Sequence, residues 1–529
     1  MKLYSVPDRL GPLLLLGAVT AVLLALAMPG HTGWWPLLFV ALVPLLMGTL
    51  YASPGRSALM GFCFGLLYHL ALLYWILIVL GRYGGLPIWI SLPALVLLAA
   101  YMACYSALFC ALLSLLTGRY WHRERSVADL VWAAPTFWVG LDYLRGYLFT
   151  GFPWMDLGYG LFSQPTFIQA ADLGGHHLIT FSLVLCNGLI LGIIDRQRRA
   201  VHWNLRRERR LLLMAWLVLI FVGGYSYVRY QVMESTLGRS LQAQVAVVQG
   251  NIDQSIKWSE KMRAATVESY LNLSRQVLEG TDTELVVWPE TALPFFPQQD
   301  PLMYRVTDFV TTANTWLLTG APLYKITPGE EEVDQVEYFN GALLIGPDGQ
   351  PGGQYAKQHL VPFGEYVPLR RYLPFLEPLV VSIGDFTPGT SSAPLELGTM
   401  RLGILICYES IFPAIARQTV DQGANLLVNI TNDAWYGQSS APYQSMAMTV
   451  FRAVENRRTL VRAANTGISA SVDPLGRIVG ATALFTEAAL LVQAPLLTEE
   501  SVFNRHGYNF GKVCAVLIPL LLVIRGRQR

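Results

Sequence analysis

Cys407 is the one cysteine of six that does not fall in a long apolar stretch; Cys63, Cys104, Cys110, Cys186 and Cys514 all do, and there a cysteine behaves as a small apolar side chain. A lone cysteine is either buried filler or a working thiol, and spacing alone leaves both open. It stands where Leu402–Ile406 ends and Tyr408-Glu409-Ser410 begins, a strand entering a turn ahead of the helix after Pro413. That geometry presents a side chain at the strand's C-terminal edge, near a helix N-terminus that favours thiolate. A thiol is mostly protonated at neutral pH and needs a base. Two carboxylates follow apolar strands, Glu290 after Leu285-Val286-Val287-Trp288-Pro289, and Glu409 itself; either reads equally as a strand-end acid. Attack on an acyl carbon builds negative charge on oxygen, which a fixed cation stabilises. Lys357, eight residues before a Glu365 able to orient it, is the candidate, against the bland reading of a solvated lysine. His359 reads as a packed histidine. No His, Cys or acidic cluster has metal-ligand spacing, which argues against zinc. The same segment has no phosphate-cradling glycine loop and no basic nucleic-acid patch.

These residues need strands to place them. Short β-branched runs recur at Gln244–Val248, Glu284–Trp288, Trp316–Thr319, Gly341–Ile345, Leu402–Ile406, Leu426–Ile430, Thr459–Ala463 and Ile468–Val472. Helical patterns occupy Trp258–Leu278, Pro413–Gln422 and Tyr443–Arg457, while Pro347-Asp348-Gly349 and Asp473-Pro474-Leu475-Gly476 are hairpin signals. Residues 240–505 therefore read as one α/β domain.

The rest of the chain is of another kind. Only 14% of its 529 residues are charged and 53% are hydrophobic, against about 25% charged in a soluble protein. Apolar stretches able to span a bilayer run from Leu10 to Met28, Trp34 to Tyr51, Ser57 to Leu80, Ile88 to Leu116, Val127 to Phe149, Leu173 to Ile194, Leu211 to Val228 and Val513 to Ile524. This gives an α-helical polytopic membrane domain of about eight helices, with residues 1–230 holding the first seven and 510–529 the last helix and a basic tail. Basic residues stay on the cytoplasmic side. Lys2, Arg9, Arg56, Arg119, Arg123, Arg125, the arginines between 196 and 210, Arg525, Arg527 and Arg529 fall on one side, and little beyond Arg82 and Arg145 on the other. Both termini are thus expected in the cytoplasm and the α/β domain outside it. That domain, Leu241–Arg505, carries 17 basic and 27 acidic residues although the whole chain is at +2. Ala25-Leu26-Ala27 is a possible signal-peptidase site, but the thin basic flank and the next span favour retention.

Trp288-Pro289-Glu290, Lys357 with its Pro-Phe-Gly-Glu context, Cys407-Tyr408-Glu409, and Glu455-Asn456-Arg457-Arg458 followed by Arg462-Ala463-Ala464-Asn465-Thr466-Gly467 resemble the nitrilase, or carbon-nitrogen hydrolase, superfamily. Gly151-Phe152-Pro153-Trp154, Gln249-Gly250-Asn251-Ile252 with Lys257-Trp258, and Leu360–Glu365 resemble its membrane-embedded branch, the apolipoprotein N-acyltransferases. Gly250 departs from that pattern, where proline is expected.

The resemblance implies an α-β-β-α sandwich outside the cytoplasm and a Glu290-Lys357-Cys407 triad, with Glu290 as proton acceptor, Lys357 as oxyanion stabiliser and Cys407 as nucleophile. It implies ping-pong transfer, without a cofactor, of an acyl chain, the sn-1 chain of phosphatidylethanolamine, through a Cys407 thioester. The acceptor would be the α-amino group of a diacylglyceryl-cysteine at an apolipoprotein's N-terminus, in the bacterial inner membrane, by a monomeric enzyme. Glu365 would hold Lys357, and Tyr408 and Glu409 would shape the pocket. Trp258 and Trp435 are expected over the site or in its rim or core. Trp138, Tyr147, Phe152 and Trp154 would line a lateral lipid opening or anchor at the interface, and Asp142 and Arg145 would pair or meet a head group. A membrane-anchored amidase is the second enzyme reading, but needs only one span. A transporter or scaffold with an inert domain is the non-enzymatic one, and the triad residues argue against it.

Overall fold

The computed structural model describes residues 9–117, 127–199, 206–254, 257–327, 335–366 and 386–527; Lys2, Arg119, Arg123, Arg125 and Arg529 of the basic set lie outside them. The chain divides into two compact units, Met1–Leu77 with Ile88–Val232 and His506–Arg529, and Ile78–Pro87 with Met233–Arg505.

The first unit is helical. Leu10–Ala27, Pro54–Leu72, Ile88–Thr117, His176–Asp195 and Glu208–Leu237 are five helices long and apolar enough to cross a membrane, and Asn509–Ile524 is a shorter apolar one. The expected span Trp34–Tyr51 is instead two pieces, a 3₁₀ turn Trp35–Phe39 and a helix Val43–Tyr51, each with a proline as its second residue. Pro36 and Pro44 have no N–H to continue a preceding helix. The expected span from Ser57 to Leu80 stops as a helix at Leu72, and the one from Val127 to Phe149 stops at Arg145.

The second unit holds two six-stranded sheets. We number its strands β1 Leu241–Gln249, β2 Leu285–Val287, β3 Trp316–Thr327, β4 Gln335–Ile345, β5 Pro351–Ala356, β6 Leu395–Leu397, β7 Met400–Ile406, β8 Leu426–Thr431, β9 Thr459–Ala464, β10 Ala470–Val472, β11 Ile478–Ala481 and β12 Ala488–Leu496. The first sheet has the order β12-β1-β2-β3-β4-β5, and the second β11-β10-β9-β8-β7-β6. Parallel pairs β1–β2–β3 and β7–β8–β9 form the two centres, flanked by antiparallel strands.

Successive side chains of a strand point to opposite faces, and both faces of the central strands are apolar. Val245, Val247, Leu285 and Val287 join Ile404, Ile406, Val428 and Val461 in the layer between the sheets. Ala246, Val248, Val286 and Trp288 face outward onto Val267, Tyr270 and Leu271 of the helix Glu260–Leu278, and Val306, Phe309 and Val310 of Met303–Ala313. Full burial of each such aliphatic side chain contributes about 1.5–3 kcal/mol. Helices Pro413–Asp421 and Ala441–Asn456 pack along β7 and β9 of the second sheet. The layers are thus helix, sheet, sheet, helix.

Candidate active site

Glu290 is delivered by the end of β2. Trp288, fully buried, donates its main-chain N–H to Leu318 O at 2.8 Å and its Nε1 to Ser274 Oγ at 2.9 Å, and its ring stacks on Tyr270. Three residues on, the chain turns at Thr291, whose φ is +51°. The turn lies against Gly320 of β3: a Cβ there would stand 2.5 Å from Thr291 N and 2.6 Å from Glu290 Cα. The Glu290 carboxylate accepts Asn340 Nδ2 at 2.8 Å on Oε1 and the Asn432 N–H at 2.8 Å on Oε2.

Lys357 leaves β5 directly. Its N–H donates to Asn340 O at 2.9 Å and its carbonyl accepts Gly389 N–H at 2.8 Å. Its Nζ, almost wholly buried, lies 2.9 Å from both carboxylate oxygens of Glu365 and 3.9 Å from Glu290 Oε1. Glu365 is itself fixed by Val361 N–H at 2.8 Å and Asn340 Nδ2 at 2.7 Å. Burial opposes the Lys357 charge, but the Glu365 and Glu290 carboxylates outweigh it and hold the ammonium above its ordinary range.

Cys407 follows β7 with a φ of +53°, in the left-handed region a β-carbon disfavours. Such strain turns a side chain out of a strand end, and Cys407 is partly exposed. Burial and then the Glu290 carboxylate push its thiol up to about 12, while Lys357 and the Thr431 hydroxyl pull the other way. The thiol is therefore protonated at neutral pH, and attack by sulfur requires an acceptor for its proton. Glu290 and Lys357 come from strand ends of one sheet and Cys407 from the other. This arrangement can carry out nucleophilic acyl chemistry.

The Glu409 carboxylate is occupied by main-chain donors and a tyrosine hydroxyl. Buried, it accepts Ile406 N–H at 2.7 Å, Gln358 N–H at 2.6 Å, His359 N–H at 3.2 Å and the Tyr355 hydroxyl at 3.1 Å. It clips the Lys357 loop to the Cys407 turn. Burial raises it to about 7, against the backbone N–H groups that lower it. Tyr408 packs on Phe412 with ring centroids 5.1 Å apart, and His359 on Phe412 at 4.0 Å. Trp435 meets Tyr83 edge-on at 5.9 Å, and Trp258 is exposed.

Residues 20–189 match the family model of the apolipoprotein N-acyltransferase N-terminal domain, and residues 244–501 that of the carbon-nitrogen hydrolases. A protein named apolipoprotein N-acyltransferase from Geobacter metallireducens is 40% identical over 97% of this chain and 95% of its own. The chain belongs to the apolipoprotein N-acyltransferase family. A second relative of that name, from Pseudomonas putida, is 32% identical over 99% of this chain and 98% of its own. The crystal structure of a carbon-nitrogen hydrolase from Helicobacter pylori G27 aligns with 53% of this chain and 94% of that one, at 19% identity and a TM-score of 0.35. As a member of the apolipoprotein N-acyltransferase family the protein is an N-acyltransferase enzyme and a membrane protein, with a nitrilase-like domain.

The departure of this N-acyltransferase at Gly250 has a local cause. A Cβ at 250 would lie 2.6 Å from the Tyr270 ring, which is buried and pinned by its stack on Trp288.

Sequence reasoning missed the amides that surround the carboxylates. Asn340 bridges Glu290 and Glu365. Asn432 binds Glu290 through its N–H, and its side chain meets Gln254 at 2.6 Å and Asn465 at 3.0 Å. The legible signal was an amide at Asn340 directly before the apolar run Gly341–Ile345, and one just past Thr431. Beneath Cys407, Thr431 donates to Asp433 at 2.8 Å, and Arg462 holds Asp433 at 2.8 Å while also bonding Asn429.

In the helical unit, Arg145 pairs with Asp142 at 3.3 Å and with Asp156. Trp154, expected at a lipid opening or interface, is buried against Trp75 and Phe152. Chain spacing showed no metal set, yet the fold gathers Asp156, His176 and His177 with ligand atoms within 4.8 Å of one another. Those atoms are engaged already: Asp156 Oδ1 with Arg145, and Oδ2 with His176 Nε2 at 2.8 Å. The guanidinium meets the charge a cation would need.

Proposed function

We propose that this enzyme transfers an acyl chain, the sn-1 chain of a phospholipid such as phosphatidylethanolamine, to the α-amino group of the N-terminal diacylglyceryl-cysteine of an apolipoprotein, completing lipoprotein maturation. The observation that carries the reading is the convergence at the strand ends of Glu290, Lys357 at 3.9 Å from it, and a protonated Cys407 thiol under the influence of both.

Glu290 takes the Cys407 proton as sulfur bonds to the ester carbonyl carbon. Lys357 faces the charge that develops on the carbonyl oxygen. The carbon–oxygen ester bond breaks, the glycerol oxygen receives the proton from Glu290, and a lysophospholipid leaves the thioester behind. The acceptor's amine nitrogen then attacks the thioester carbon and gives its proton to Glu290. The carbon–sulfur bond breaks, and the proton returns to sulfur. Both half-reactions use one base and one cation, as ping-pong covalent catalysis requires.

The same reading takes residues 240–505 as a periplasmic catalytic domain, about eight spans in the inner membrane, both termini in the cytoplasm, and a monomer. The five long apolar helices support it. Both substrates keep their chains in the bilayer, which a multi-span enzyme accommodates and a single anchor would not.

The test is intact-protein mass spectrometry of the detergent-purified enzyme with phosphatidylethanolamine alone. The expected result is an acyl-sized mass increase, absent in Cys407→Ser and discharged by a diacylglyceryl-cysteine peptide. No adduct, with hydrolysis of small amides instead, would overturn the reading in favour of an amidase.

A further inference from the structure

Lys257 is wholly buried beside the base, yet the proton transfers above do not involve it. Its Nζ donates to the main-chain carbonyl of Glu290 at 3.3 Å. A hydrogen bond that long is a weak return for an ammonium taken out of water, since burying a charge is costly unless an opposite charge compensates it. The compensating group is the Glu290 carboxylate, the one charge that supports the Lys257 ammonium as burial pulls it down to about 8.

The charges that face Glu290 show what the second ammonium adds. Facing Glu290 are Lys357 from the end of β5, Glu365 through Asn340, the Cys407 thiol from the end of β7, and Lys257 from the segment after β1. Asp433, below Cys407, is already matched by Arg462. Two carboxylates against Lys357 alone would leave one uncompensated negative charge, and transfer of the thiol proton would take place in that field. Lys257 supplies a second cation beside Glu290.

Resting on the base assigned above, we infer that Lys257 is a positioning residue for acylation: seated on the Glu290 carbonyl, its ammonium supplies the second positive charge that keeps the Glu290 carboxylate in place and free to accept the Cys407 proton.

The experiment measures single-turnover acyl-enzyme formation from phosphatidylethanolamine by mass spectrometry, from pH 5 to 9, in the full-length enzyme. Lys257→Gln keeps a donor for the Glu290 carbonyl and removes the charge; Lys257→Met removes both; Lys257→Arg keeps the charge. With the charge gone, protons compete better for the site's carboxylates, so the acid limb of the profile should move up by about one pH unit in the Gln and Met variants. Acylation on the acid side of that limb should then fall up to about tenfold, and the Arg variant should keep the wild-type limb. A Gln variant with the wild-type limb, or loss by one factor at every pH in all three variants, would overturn the inference and leave Lys257 a structural residue. Glu290→Gln is the control. If it acylates at the wild-type rate, the assignment of the base fails, and that outcome is separate from any result at Lys257.

Discussion

The Glu290 carboxylate of the first sheet accepts the Asn432 main-chain N–H of the second at 2.8 Å. The proton acceptor proposed for Cys407 is thus oriented by the sheet that carries the thiol, and the distance between them is set by how the two sheets pack.

Alkylation of Cys407 should report this coupling. Its thiol is pushed up to about 12, first by burial and then by the Glu290 carboxylate, and is lowered by Lys357. Removing the negative charge in Glu290→Gln should make the thiol more acidic, so the pH midpoint of iodoacetamide labelling falls by about one unit. Lys357→Met should raise it by a similar amount. Glu290→Gln would then label faster at a given pH while acylating at least a hundredfold more slowly. A midpoint that moves in the opposite direction would refute the arrangement.

Asn340→Ala should slow acylation by about tenfold to a hundredfold with the domain still folded. Its amide is the shared donor between Glu290 and Glu365, and without it the two carboxylates repel and lose their orientation. Steady-state kinetics should show the loss in kcat, with KM for phospholipid little changed.

Gly320→Ala acts on the base from behind. The new methyl would sit 2.6 Å from Glu290 Cα, so the turn must move. Even a shift of about 1 Å costs on the order of a hundredfold. Thioester formation should fall accordingly, while Cys407 labelling persists.

Glu409→Ala should destabilise the domain more than it changes the chemistry. It strands buried N–H groups of Ile406 and Gln358, each at about 1–3 kcal/mol. Thermal unfolding should show a drop of several degrees, with Glu409→Gln smaller. A variant as stable as wild type would mean that the clip between the two loops is not needed.

Arg145→Met removes the guanidinium that pairs with both Asp142 and Asp156. Breaking a buried pair from one side costs about 3–5 kcal/mol. Detergent-solubilised protein should unfold at lower temperature, and Asp156→Asn in the same background should recover part of the loss.

What the sequence made legible follows from where side chains stand. Glu290 and Cys407 follow apolar strands, and Lys357 lies one loop from Glu365, so pattern and resemblance bring them into view. Strands rich in Val, Ile and Leu at β1, β7, β8 and β9 were equally readable. Pro351-Gly352-Gly353 opens β5 with residues that disfavour strands, and that strand was missed although it leads into Lys357. β12 was missed too: its pattern is a mixed apolar run with Pro495 near its end, and only pairing with β1 makes it a strand. Asn340 and Asn432 were invisible as site residues because their roles come from partners about 50 and 140 positions away, as the Glu290 bonds record. Trp154 looked interfacial by composition, and its burial depends on the distant Trp75.

Gly250 bears on how this chain's positions can change. With Tyr270 in place, a proline at 250 would meet a ring that cannot move without disturbing Trp288, and Trp288 precedes the base by two residues. A side chain at 250 and the Tyr270 ring, 20 positions apart in sequence, therefore compete for the same space, and relief at one requires a smaller residue at the other.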